Sequence, residues 1–379
     1  MNPLKKYIKS INLRNYVMIA ALLLIWIAFS YLTGGSFLLS RNISNLVRHM
    51  AVVGILGIGM VMVIITGNID LSVGSVLGAM GGLAAVMHIW NGAGVYATIA
   101  VVLITSTLIG TIQGSIISFL KVPAFIVTLG GLLIFRGVQL GLTKGISIAP
   151  FAASYQKYGQ AYIDKSIVWI MAIFACAVLV VLDFIKRKSR IKYDFTVPKI
   201  SVFILKNAAL SLLILFVAYI LNSYRGLPMQ VFIMVVLVIF FTFITQKTTF
   251  GRSIYAMGGN YEAALYSGIK VRRNLVIVYA INGLMAGIAG VIISARLNAG
   301  TPTAGNTMEL DAIAAAVIGG TSMSGGVGKV YGAILGALFM ASIDNGMSMM
   351  NIDAYWQYIV KGIILVVAVW FDIYSSKKS

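Results

Sequence analysis

The chain has 379 residues, 60% of them hydrophobic and only 10% charged, with a mean hydropathy of +0.96 and a formal net charge of +19. A soluble domain of this length cannot hide so much apolar surface, so the composition excludes a water-soluble fold and specifies an all-α polytopic membrane protein. The charge excludes less than its size implies: the cations stand at the ends of apolar runs, not on one continuous polar face, so nucleic acid is not the expected partner.

The N-terminal region carries Lys5, Lys6, Lys9 and Arg14 ahead of an apolar run over 16–33. That run is long, and no small-x-small cleavage pattern follows it, so it reads as a retained first span and not a signal peptide. Ten more runs of spanning length follow, at 49–66, 73–90, 97–120, 124–141, 166–185, 201–222, 228–246, 274–296, 329–348 and 356–373. A shorter apolar piece, 310–320, reads as a short tilted helix or a re-entrant one near 310–322. Counting it gives about 12 transmembrane crossings, and the positive-inside rule favours that count. The stretches 1–15, 186–199, 247–273 and the tail with Lys377 and Lys378 are rich in Lys and Arg, and an even number of crossings puts both termini in the cytosol with them. The whole of 1–379 then forms one transmembrane domain. No P-loop pattern occurs, so the chain has no means of that kind for holding ATP.

The first polar motif, Gly67 to Ser75 (GNIDLSVGS), places Asp70 and Ser72 between two spans with glycines on both sides. Both side chains accept backbone N–H groups, so a helix-capping role stands beside contact with a polar solute and a proton-relay role. Gln113 lies inside the next span but one boundary further. The second motif, Val122 to Gly131 (VPAFIVTLGG), sets Pro123 in a first helical turn and Thr128 at a close-packing position. Arg136 follows inside the same apolar run and must snorkel, pair or line water. Cys176 stands alone in an apolar run, read as a small core residue. A disulfide framework or cysteine metal site is excluded, and His49 and His88 are too few for a metal centre.

Residues 246–273 are basic at both ends and hold a short helix signal in the middle. Asn260 caps its start, Glu262 suits the positive N-terminal end, and Gly268 stops it. Tyr261, Ala263, Ala264 and Ser267 complete the turn pair. Such a capped helix exposed beside a membrane is a docking surface. The last motif, Glu309 to Gly328, opens with Glu309 and Asp311 at a helix start and breaks at Gly319–Gly320–Thr321–Ser322. A broken helix at membrane depth survives only inside protein or beside water, which makes this region the prime candidate for a translocation path. The candidates for that path are Asp70, Ser72, Gln113, Thr128, Glu309, Asp311, Thr321 and Ser322. Asp344 and Lys361 are expected to pair between neighbouring helices. Val73–Ala79 and Val327–Ala333 also match each other, a hint of internal repetition. No nucleophile–base–acid set appears, so no enzyme chemistry and no cofactor are expected.

Together GNIDLSVGS at 67–75, VPAFIVTLGG at 122–131, GGNYEAALYSGI at 258–269 and PTAG with ELDAIAAAVIGGTSMSGG at 302–326 resemble the permease subunits of bacterial ATP-binding-cassette sugar importers, the ribose/xylose/galactose group. The resemblance covers about residues 40–370 and is specific as a set. Smaller members hold a ten-helix core with one span between the second motif and the GGN segment. This chain holds three there, as the xylose and multiple-monosaccharide permeases do, so the extra pair and the basic loop 186–199 tilt the substrate toward xylose or several aldoses. The resemblance implies a division of labour. A binding protein outside captures the monosaccharide. Two permease copies, as a homodimer, form the pathway in the bacterial inner membrane. A cytosolic two-domain ATPase receives Asn260–Gly268 as the coupling helix within the segment 247–273. A nucleoside permease of the same superfamily and a secondary sugar symporter, with Asp70 or Asp344 as its ion site, are the alternative readings.

Overall fold

The computed structural model describes residues 13–376, which form fifteen α-helices. Lys5, Lys6, Lys9, Lys377 and Lys378, used above to orient the chain, lie outside the described residues. The first group is α1 (Leu13–Leu32), α2 (Ser40–Ile65), α3 (Val73–Ala85, running on in a wider coil over Val86–Trp90), α4 (Val95–Phe119) and α5 (Ala124–Thr143). The short helix α6 (Ala153–Gln160) follows. A two-residue strand β1 (Tyr162–Ile163) then pairs antiparallel with β2 (Leu227–Pro228). Between and after the strands come α7 (Lys165–Lys192), α8 (Ile200–Asn222) and α9 (Met229–Lys247). Two small helices, α10 (Thr249–Gly259) and α11 (Tyr261–Tyr266), precede α12 (Val271–Leu297), α13 (Met308–Ile318), α14 (Val330–Met349) and α15 (Ala354–Ser376).

Ten of the described helices are long and apolar enough to cross a membrane. α1 has 20 residues and contains a shorter apolar stretch, Met18–Leu32. α13 has 11 residues, about 16 Å at 1.5 Å per residue, roughly half of a hydrocarbon core. It does not double back. The loop before it joins one end of the bundle, where Ile148 and Gly300 exchange backbone hydrogen bonds of 3.0 and 2.9 Å. The coil after it reaches the other end, where the Gly326 N–H donates to the Ile65 carbonyl at 2.8 Å. Half helix and coil together run from one end of the bundle to the other. The basic stretches 186–199 and 247–273 share the Ile65 end, called here the basic side. Val73 opens α3, whereas α14 begins only at Val330, the fourth residue of the second heptapeptide, so the two matching segments start their helices out of step.

Two boundaries and the place of one residue differ from expectation. α2 begins at Ser40, not near 49, because its polar first turns find remote partners: the Ser44 hydroxyl meets Tyr162 OH at 3.2 Å, and Arg48 donates to the Gly159 carbonyl at 2.9 Å. α7 runs on to Lys192, so the first half of the basic loop 186–199 is helical. Cys176 is half-buried at the α7–α8 contact and not in the main core.

α2 is the hub, with every residue from Met50 to Ile65 buried. α12 lies along α4, and the approach is set by small residues: a Cβ on Gly110 would overlap the Tyr279 carbonyl, and one on Gly283 the Ser106 carbonyl. α3 packs between α12 and α5, and α14 packs between α2 and α13. The extra pair α7–α8 packs mainly on itself, and few of its residues are buried. It is an addition to the rim, leaving the core architecture unchanged.

Candidate functional site

Two regions carry the polar chemistry. The first is the knot of small helices on the basic side. Thr248 opens α10 by accepting the Gly251 N–H at 3.1 Å, and Asn260 opens α11 by accepting the Ala263 N–H at 2.9 Å. The Ser267 hydroxyl donates to the Ala263 carbonyl at 2.8 Å, and Gly268 ends the helix at φ +79, a conformation that favours glycine. Ala264 is the one residue of the set that faces inward; Asn260, Tyr261, Glu262, Ala263, Ser267 and Gly268 are exposed. α11 is thus anchored by a methyl group and otherwise offered outward.

The knot is held by close backbone approach. A Cβ on Gly258 would overlap the Ile65 carbonyl, and the Gly326 N–H occupies the same carbonyl at 2.8 Å. Tyr255 OH donates to the Gly328 carbonyl at 2.7 Å. Burial pushes its phenol above the usual range and keeps it a neutral donor. α10 therefore touches both the end of α2 and the coil 319–329. Gly258→Val is expected to shear this junction at about 1–3 kcal/mol, the usual range for overpacking. A thermal melt of the purified variant checks it; a midpoint equal to that of the unaltered protein would contradict the contact.

The second region is a polar axis inside the bundle. Asp70 Oδ1 accepts the Ser72 N–H and hydroxyl, both at 2.7 Å, and Oδ2 accepts Asn282 Nδ2 at 2.7 Å. Gln113 Nε2 donates to the Ser72 hydroxyl at 2.9 Å. The Ile69 carbonyl receives Tyr279 OH and the Thr128 hydroxyl, each at 3.4 Å. The expected capping of α3 by Asp70 or Ser72 does not occur, since α3 has no side-chain cap. Both groups are used by these stronger partners instead.

Glu309 abuts Gly74 in the first turn of α3, so the starts of α3 and α13 meet inside the protein. A carboxylate at that helix start is favourable. Lys361 joins Asp311 and Asp344 at 2.9 Å each, which realises the expected Asp344–Lys361 pair and adds Asp311. Ser322 and the Met323 N–H both donate to Asp372 Oδ2, at 3.2 and 2.9 Å. Thr321 is fully buried beside them. All eight path candidates are buried, and all but Thr321 and Glu309 are held by the side-chain hydrogen bonds or ion pairs above. Asn282 and Asp372 were not singled out from sequence; each was visible only as a polar residue in an apolar run.

The chain matches, over residues 42–369, the family described as the branched-chain amino acid transport system / permease component. The xylose transport system permease protein of Escherichia coli strain K12 is 46% identical over 372 residues, 98% of this chain and 95% of that protein. Its namesake from Haemophilus influenzae is 45% identical over 371 residues, 98% of this chain and 99% of that protein. The ribose import permease protein of Bacillus subtilis strain 168 is 33% identical over 341 residues, 89% of this chain and 86% of that protein. No solved structure matches.

Proposed function

Because the chain belongs to the branched-chain amino acid transport system / permease component family, we propose that it is the membrane subunit of an ATP-driven importer of monosaccharides, with xylose its first substrate. The observation that carries this reading is the 46% identity to a xylose permease over 98% of the chain. The rim pair α7–α8 fits it, since the resemblance drawn above ties that pair to xylose and multiple-monosaccharide permeases. The chain itself supplies no chemistry. A cytosolic two-domain ATPase provides the energy, and an extracytoplasmic binding protein delivers the sugar.

The basic side faces the cytosol of a bacterial cell. Two copies form the pathway. Gly130, Gly137 and Gly141 on α5 support a second copy, because open space lies where their Cβ atoms would stand and small residues permit close helix approach. α11 seats in the ATPase. Its motion passes through Gly258 to the end of α2 and, through Gly326, to the coil that follows α13. Gly74 and Glu309, in the first turns of α3 and α13, abut inside the protein. Asp70, Ser72, Gln113, Thr128, Glu309, Asp311, Thr321 and Ser322 act as the interior frame of the pathway that these movements tilt.

Gentle detergent purification tests the reading. Co-purification of a two-domain ATPase, with a sugar-binding protein whose ligand is xylose, supports it. A nucleoside as that ligand moves the substrate class, and a chain that works alone in liposomes on an ion gradient makes it a symporter. Asp70→Asn is expected to retain about half of the uptake or more, because Asn282 Oδ1 is buried without a partner and an amide flip presents it to the new Nδ2. Complete loss of uptake in a well-folded variant would instead assign Asp70 a charge-dependent role.

A further inference from the structure

Arg136 is the thirteenth residue of α5, about 18 Å from its start and roughly 10 Å from its end at 1.5 Å per residue. A guanidinium at that depth cannot lie against lipid tails without a large penalty. Two of its partners, Gln139 and Ala304, are buried, and the third, Asn306, is exposed. Nη1 donates to Gln139 Oε1 and to the Ala304 carbonyl, both at 3.3 Å, and Nη2 donates to Asn306 Oδ1 at 3.2 Å. Asn306 is exposed, and its Nδ2 donates to Tyr358 OH at 3.4 Å. Tyr358 is itself 51% exposed. Three separate elements, α5, the coil before α13 and the first turns of α15, thus bring the half-buried Arg136 and the exposed Asn306 and Tyr358 to one place.

The trio is built on a fixed layer. Gln139 beneath it is fully buried and donates to the carbonyls of Thr301 and Ala304 at 2.9 and 3.0 Å. The coil before α13 is therefore clamped to α5, and Arg136 is held in one direction. Three of the five guanidinium hydrogens are used, which leaves Nε–H and one hydrogen of Nη2. The Tyr358 oxygen accepts from Asn306 and keeps its own hydrogen to give.

A structural anchor would bury its members, whereas Asn306 and Tyr358 are open. A phospholipid headgroup would sit at the end of α5, not about 10 Å inside it. A contact with the second copy, water or a polar solute remains, and the open, doubly donating and accepting groups suit a polar solute. We infer that Arg136, Asn306 and Tyr358 line the route between two copies and grip the hydroxyl groups of the passing monosaccharide. This rests on the importer reading above. Sugar hydroxyls both donate and accept. The trio offers donors from Arg136 and Tyr358 and an amide that does both. A few neutral or singly charged hydrogen bonds hold a sugar loosely, which conduction needs.

Cysteine labelling in the reconstituted complex with its ATPase and binding protein tests this. In a Cys176→Ser background, Asn306→Cys is compared with Leu212→Cys, an exposed site (72%) on the rim helix α8. The probe is a charged, membrane-impermeant methanethiosulfonate reagent. Asn306→Cys is expected to react at least about tenfold faster than the lipid-facing control, because the ionised reagent does not enter hydrocarbon. Xylose turnover is expected to slow that reaction. Equal, slow reaction at both sites overturns the inference and leaves a dry contact between copies. The second readout is Arg136→Lys, which keeps the charge but not the fork. It is expected to raise the half-saturating xylose concentration about threefold or more at a retained maximal rate; an unchanged concentration speaks against the trio as a sugar contact. Uptake by the unsubstituted complex separates the two levels. Absence of ATP-driven xylose uptake fails the importer reading, while normal uptake with an unreactive Asn306→Cys fails this inference alone.

Discussion

Replacing Glu262 by arginine is expected to abolish ATP-driven xylose uptake while the chain stays inserted and folded. Glu262 is the sole acidic residue of the segment 246–273, amid Lys247, Arg252, Lys270, Arg272 and Arg273. It sits exposed in the first turn of α11, where a carboxylate complements the helix dipole. Losing that term weakens a helix end by about 0.3–1 kcal/mol, too little to unfold a bundle whose hub is α2. A reversed charge in a docking groove is different. Like charges brought together there cost several kcal/mol and remove the seat. Glu262→Gln, which keeps the shape and one acceptor, is expected to retain part of the uptake. Transport assays at matched membrane levels, with the amount of ATPase that co-purifies, distinguish these outcomes. Normal uptake by Glu262→Arg would falsify the assignment of α11 as the coupling element.

Glu262 also marks what is legible in a sequence of this kind. Everything that makes α11 a helix is local: Asn260 accepts a bond three residues on, Ser267 returns one four residues back, and Gly268 supplies a positive φ. The spans are equally local, since length and hydropathy need no partner. The short piece at 310–320 was visible as too brief to cross, and α13 is that brief. The interior is another matter. Asp70 binds Asn282, 212 positions away, and Arg48, which draws α2 back to Ser40, binds Gly159 at a separation of 111. No periodicity encodes such pairs. A carboxylate between two spans reads alike whether it meets a solute or an amide of the same chain. The polar residues of Glu309–Gly328 are legible in the sequence, whereas the remote partners that hold them, such as Lys361 and Asp372, are not.

Lys361→Met is expected to be the most destabilising substitution of the interior. Lys361 is the cation shared by Asp311 and Asp344, at 2.9 Å from each, and all three side chains are 13% exposed or less. The Oδ1 atoms of both carboxylates already lack a hydrogen-bond partner. Methionine fills the volume but strands two carboxylates in the bundle. Removing one partner of a buried ion pair costs about 3–5 kcal/mol, because the remaining charge stays desolvated. Size-exclusion recovery after a heating series is expected to fall sharply for Lys361→Met and little for Lys361→Arg. Adding Asp311→Asn and Asp344→Asn to Lys361→Met removes the stranded charges and is expected to restore most of the recovery. If Lys361→Met alone is as stable as the unaltered chain, the carboxylates reach water and the cluster belongs to the pathway. If only the charge-neutral triple variant recovers, the cluster is a clamp. It then ties α13 to α14 and α15, so the half helix that begins beside Gly74 cannot shift without the last two spans shifting with it.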